Sequence, residues 1–226
     1  MKLLLTSAGF TTNDIVQACV DLVGKPKDEV SFAVINEAYV AEAGDHRWVI
    51  DDLNNVYNNF AGEIELINLV ALSTDEVKNR IDRRDVILTL GGHTDYLMKV
   101  FNDTGFSEIL PELLKSKTYV GSSAGSMVLT NRASSESYQA VYGEEANYGI
   151  TQYLGFVDAC IKPHLESPHF PNNRREKLAT ICKDLPGTLY ALKDDSAILI
   201  DGDKISFIGS EPFTMRDGCV TSDKAA

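Results

Sequence analysis

Short apolar runs alternate along most of this chain with stretches in which apolar residues recur every three or four positions. The runs predict strands near 2–6, 30–35, 64–69, 86–90, 118–121 and 158–162, and the intervening periodicity predicts helices. Those helices cover 13–22, 47–59, 75–81 and 94–102, with one leaving Ala124 and one over 171–182 that has Pro171 in its first turn and Glu176 after it. Such alternation builds β-α-β units, so the expected fold class is α/β, a mostly parallel sheet with helices on both faces. Near the end the pattern changes. Runs at 189–192, 197–200 and 205–209 read as short strands, the last two joined by Asp201-Gly202-Asp203-Lys204 as a C-terminal β-hairpin. No repeat, low-complexity stretch or linker divides the chain, which makes 1–226 one expected domain, with 221–226 as a frayed tail.

Composition narrows the function classes. No apolar run approaches the ~20 residues of a membrane span, and the N-terminal Met1-Lys2-Leu3-Leu4-Leu5 is too short for a signal peptide and reads as a buried strand. Cys19, Cys160, Cys182 and Cys219 show no C-x-x-C spacing, which disfavours a zinc site or a disulfide framework and leads us to expect a reducing, cytoplasmic location. The formal net charge of -12 argues against nucleic acid as a partner. It also repels an acidic substrate, which would need a local arginine or a ring of backbone donors.

In an open parallel sheet the ligand crevice lies beyond the carboxyl ends of the strands, so residues just after strands should meet. The segment Gly121-Ser122-Ser123-Ala124-Gly125 follows an apolar strand and leads into a helix. That setting makes G-x-S-x-G a nucleophile elbow and Ser123 a candidate nucleophile. Gly91-Gly92-His93-Thr94 follows another strand, and the N–H groups of Gly92 and Ala124 are candidate oxyanion donors. A serine needs a base. His164, reached through Lys162-Pro163 at the end of a strand, is the best placed of four histidines; His169 is the reserve, His93 suits substrate contact, and His46 sits in a polar loop. In the order Ser, acid, His the third group lies between 123 and 164, where Glu136 is preferred over Glu144, Glu145 and Asp158. Tyr138, Tyr142, Tyr148 and Tyr153 in the same stretch either cover the crevice or pack on the sheet edge.

Gly-Gly-x-Thr, Gly-x-Ser-Ala-Gly and Pro-His, in this order after successive strands, resemble the aspartyl dipeptidase (dipeptidase E) family of serine peptidases, related to the cyanophycinases. The resemblance implies a fold similar to the class I glutamine amidotransferases, with serine where those enzymes carry cysteine. It implies Ser123 as nucleophile, His164 as base, and Gly92 and Ala124 as oxyanion hole. The family's third member is aspartate or glutamate, which keeps Glu136, while the amidotransferase relatives would place it at Glu166. Arg174-Arg175-Glu176 resembles the segment that holds the carboxylate of an N-terminal aspartate, so Arg175 is the implied substrate-binding arginine; His93 stands where the family often has asparagine. The expected function is a serine peptidase acting on short peptides, with an N-terminal aspartate as one option. A cyanophycinase-like β-aspartyl peptidase or esterase is the second reading, and a catalytically silent amidotransferase-like binding module the third. No cofactor or metal is implied, the expected partner is a small peptide and not a membrane, and a homo-oligomer is left open.

Overall fold

Leu3, Leu4 and Leu5 are all fully buried, yet side chains alternate along a strand and so cannot share a face. Leu3 and Leu5 enter one core with Ile87, Leu97 and Phe101, whereas Leu4 enters another with Val34, Leu88 and Ile15. Helices cover both faces, which is why these strands read as continuous apolar runs and not as alternating ones.

The computed structural model describes residues 1–144 and 148–222. The chain runs β1 (Lys2–Thr6), α1 (Asn13–Val23), β2 (Phe32–Ile35), a 3-10 turn at Glu37–Ala41, α2 (Arg47–Asn59), β3 (Ile64–Ile67), α3 (Thr74–Ile81) and β4 (Val86–Thr89). It continues through α4 (Thr94–Asp103), α5 (Phe106–Leu113), β5 (Thr118–Ser122), the single-turn α6 (Ala124–Met127), α7 (Ser135–Tyr142), β6 (Cys160–Lys162) and α8 (Arg175–Ile181). Five strands, β7 (Thr188–Ala191), β8 (Ala197–Asp201), β9 (Lys204–Ile208), β10 (Phe213–Arg216) and β11 (Cys219–Ser222), end it.

The main sheet has the order β3-β2-β4-β5-β1-β8-β9. Its first five strands are parallel, and the β8-β9 hairpin closes the edge beside β1 in antiparallel fashion. A second sheet, β11-β10-β7-β6, pairs β6 parallel to β7 with Lys162 opposite Ala191.

The expected α/β architecture and hairpin are present, with local differences. The strand expected at 158–162 is shorter and lies in the second sheet, because β8 already occupies the edge of β1. The helix expected from Pro171 starts at Arg175. Before it, Asn173 Nδ2 donates to the Pro163 carbonyl at 2.5 Å and the Arg174 guanidinium donates to the carbonyls of Ser167, Phe170 and Asn173, so side chains satisfy a loop where a helix was expected. Thr221 and Ser222, assigned to the tail, belong to β11. Residues 223–226 lie outside the described chain.

Candidate active site

Ser123 sits between β5 and α6 with φ 51° and ψ -112°, a conformation that costs a non-glycine residue of the order of 1–3 kcal/mol and persists only where the surroundings over-determine it. They do so here. A Cβ on Gly121 would lie 2.6 Å from the Gly125 backbone, and one on Gly125 would lie 2.1 Å from the Thr89 carbonyl oxygen, so only glycine lets strand, turn and helix close together. Hydrogen bonds hold the turn from outside: Ser123 N–H and Ser126 Oγ both donate to the Thr6 carbonyl at the end of β1, and Tyr119 Oη donates to Gly125 O. Ala124 opens α6 and its N–H has no carbonyl one turn back. Gly91 packs against Ser123, and Gly92 beside it has φ 130°, with Ala38 so close that a side chain would collide with its backbone.

His164 follows β6 by two residues and Asp194 follows β7 by three, so the parallel pairing of the second sheet delivers both to one place. The His164 Nε2 lies 2.9 Å from Ser123 Oγ, and its Nδ1 lies 2.7 Å from Asp194 Oδ1. The imidazole stacks on Phe170 at 4.5 Å between ring centres. Ser7, fully buried after β1, joins the parts: its hydroxyl accepts from His164 N–H at 2.7 Å and reaches Asp194 Oδ1 at 3.1 Å. Burial pushes the Asp194 carboxyl up, but the hydrogen bond and charge of His164, together with the Ser7 hydroxyl, outweigh it and hold the group below the ordinary aspartate value.

The carboxylate beside His164 is therefore Asp194, not Glu136. Glu136 is exposed in the first turn of α7, where its own backbone N–H and the Ser134 hydroxyl hold its carboxyl below the ordinary glutamate value. Asp158 is exposed and accepts from Asn131, and Glu166 is exposed and faces Arg174 at 3.4 Å. Glu145 lies outside the described residues. The order Ser, acid, His excludes Asp194, which follows the histidine in the chain. The strand-end rule applied to the run 189–192 points directly to Lys193-Asp194-Asp195.

Two expected substrate contacts are also placed elsewhere. His93 is buried as the N-cap of α4, with Nδ1 accepting from Tyr96 N–H at 3.3 Å, and it does not line the cleft. Arg175 stands outside the cleft, its N–H donating to Glu166 and its guanidinium 5.8 Å from the centre of the Phe213 ring. The tyrosines divide. Tyr142 lines the cleft, while Tyr138 and Tyr153 are buried in a polar network with Lys162, Arg132 and Asp95.

The cleft over Ser123 holds about 420 Å³. Its walls carry Glu42, Asp52 and Glu144, and Asp194 lines it beside His164 and Ser123. Burial pushes Glu144 up to about 8, and burial followed by the neighbouring Asp51 charge pushes Asp52 up to about 7. Among the described residues that line the cleft there is no lysine or arginine.

A family model, that of peptidase family S51, matches residues 3–208. An uncharacterized peptidase of Pasteurella multocida strain Pm70 is 22% identical over 204 residues, 90% of this chain and 95% of that one. An uncharacterized peptidase of Listeria innocua is 27% identical over 143 residues, 62% of this chain and 66% of the other. Among solved structures, a Listeria monocytogenes EGD-e protein assigned to peptidase E aligns with a TM-score of 0.73 at 22% identity, covering 91% of this chain and 96% of its own. A peptidase from an acI-B1 actinobacterium aligns with a TM-score of 0.66 at 16% identity over 98% and 96%.

Proposed function

The chain belongs to peptidase family S51 and is a serine peptidase, and from that premise we propose that Ser123, His164 and Asp194 form its catalytic triad and that it cleaves short peptides. The observation that carries this reading is the 2.9 Å contact of Ser123 Oγ with His164 Nε2 at a strained strand-to-helix turn. His164 takes the hydroxyl proton as Ser123 attacks the peptide carbonyl, and Asp194, held ionised, orients the ring and stabilises the imidazolium. Negative charge that develops on the carbonyl oxygen meets the N–H groups of Ala124 and Gly92. His164 then passes its proton to the leaving amine, and water activated by the same ring releases the acyl group.

A cleft of about 420 Å³ suits a substrate of a few residues. An N-terminal aspartate gains no support, because Arg175 lies outside the cleft and the walls are acidic. An esterase would use the same apparatus. The unpaired state of all four cysteines supports a cytoplasmic location, and no described helix is long and apolar enough to cross a membrane. The test is labelling with a fluorophosphonate probe. Wild-type protein should label at Ser123 and lose peptide hydrolysis, whereas a silent binding module would not label. Ser123→Ala should retain the fold and lose on the order of 10⁴–10⁶ in rate; near-normal turnover by that variant overturns the mechanism.

A further inference from the structure

Trp48 and Asp52 lie four residues apart on α2, hence on one face of the helix, and both line the cleft above Ser123. No hydrogen-bond donor or cation among the described residues meets the Asp52 carboxylate. Glu42, after the 3-10 turn, and Glu144 also line the cleft, the Glu144 carboxylate accepting from Thr94. The site itself is set by the Ser123–His164 contact and not by the acids. They decide what is welcome near it.

We infer that this peptidase selects substrates carrying a positive charge close to the scissile bond, an α-ammonium or a basic side chain, which the wall of Trp48, Asp52 and Glu42 receives. The inference rests on the reading of Ser123 as nucleophile and adds the substrate class. An aromatic face and a carboxylate one helical turn apart offer the two surfaces an organic cation prefers, a π-face and a counter-charge. A substrate carboxylate in the same place would meet Glu42 and Asp52, with no lysine or arginine lining the cleft among the described residues. Selection thus comes from repulsion of acids as well as attraction of bases.

Steady-state kinetics on four dipeptides separates the sources of the charge: Lys-Ala, norleucine-Ala, and the Nα-acetyl form of each. Acetyl-norleucine-Ala has neither cation and should show a kcat/KM about tenfold or more below at least one of the two that keep a single cation. Norleucine-Ala identifies the α-ammonium, and acetyl-Lys-Ala the side chain. Asp-Ala should fall below norleucine-Ala. In Asp52→Asn and in Glu42→Gln the kcat/KM ratio of the preferred cationic peptide to acetyl-norleucine-Ala should drop several-fold. Equal turnover of all four peptides, a preference for Asp-Ala, or a ratio unchanged in both variants overturns the inference. If Ser123 labels and these ratios are flat, only the substrate class fails; if Ser123 does not label, the parent reading fails with it.

Discussion

At the scale of single residues, the hydroxyl, imidazole and carboxylate line up because three different strands end beside one another. Asp194 holds the ring through Nδ1, so Asp194→Asn should keep the fold and present the wrong hydrogen-bonding group to His164. A loss of roughly 10³–10⁴ in kcat is expected, whereas Glu136→Gln should stay within a factor of two or so of wild type. Activity of both variants, measured alongside their circular dichroism, checks the assignment; the reverse ranking would return the role to Glu136. Glu144 makes a different prediction. It is surrounded by Glu42, Asp95, Lys162, His93 and the Thr94 N–H, and burial dominates, raising it from 4.5 to about 8. Between those values the folded state keeps a proton that the unfolded chain has released, so this contribution is present at low pH and is lost as pH rises through about 8. Glu144→Gln is neutral in both states. Its melting temperature relative to wild type should therefore be higher at pH 8.5 than at pH 5, and thermal melts at the two values decide it.

At the scale of elements, the elbow was legible because its requirements are local. A strand, a glycine, two serines, a small residue and a glycine must follow one another, and the 2.1 Å approach of Thr89 O to a Cβ placed on Gly125 shows why. Gly125→Ala should destabilise by about 3 kcal/mol, the upper end for overpacking a core. Gly143→Ala, where a Cβ meets nothing within 4 Å but φ is 77°, should cost only about 1 kcal/mol. Urea midpoints of the two variants measure the contrast, and equal costs would mean that backbone conformation matters more than the close approach. Less legible elements had their local signals masked. Pro111 lies within α5, and α8 starts late because Asn173 and Arg174 serve loop carbonyls. The β10-β11 hairpin turns on Asp217-Gly218, a dipeptide that signals a turn as plainly as Asp201-Gly202 between β8 and β9.

For the whole molecule, the net charge of -12 and the acidic cleft act in the same sense. A cationic peptide should be steered in by the long-range field, and kcat/KM for Lys-Ala should fall as salt rises from about 10 mM to 0.5 M, because the Debye length shrinks from ~30 Å to a few ångström. Acetyl-norleucine-Ala, an anion through its C-terminal carboxylate, should respond in the opposite sense, its kcat/KM rising as salt screens the repulsion. A salt response shared equally by both would locate its cause in the protein and not in the substrate's charge. The apolar and polar pattern by itself determined the strand and helix alternation, the α/β class, and the positions of Ser123 and His164, since each of those depends on neighbours in the chain. Tertiary structure alone decided the rest. Which carboxylate meets His164 follows from β6 pairing with β7 in a second sheet, and which side chains reach the cleft follows from how α2, α4 and α8 pack. Those are contacts between segments far apart in sequence, whose free energy comes from surfaces buried together and leaves no periodicity in either segment.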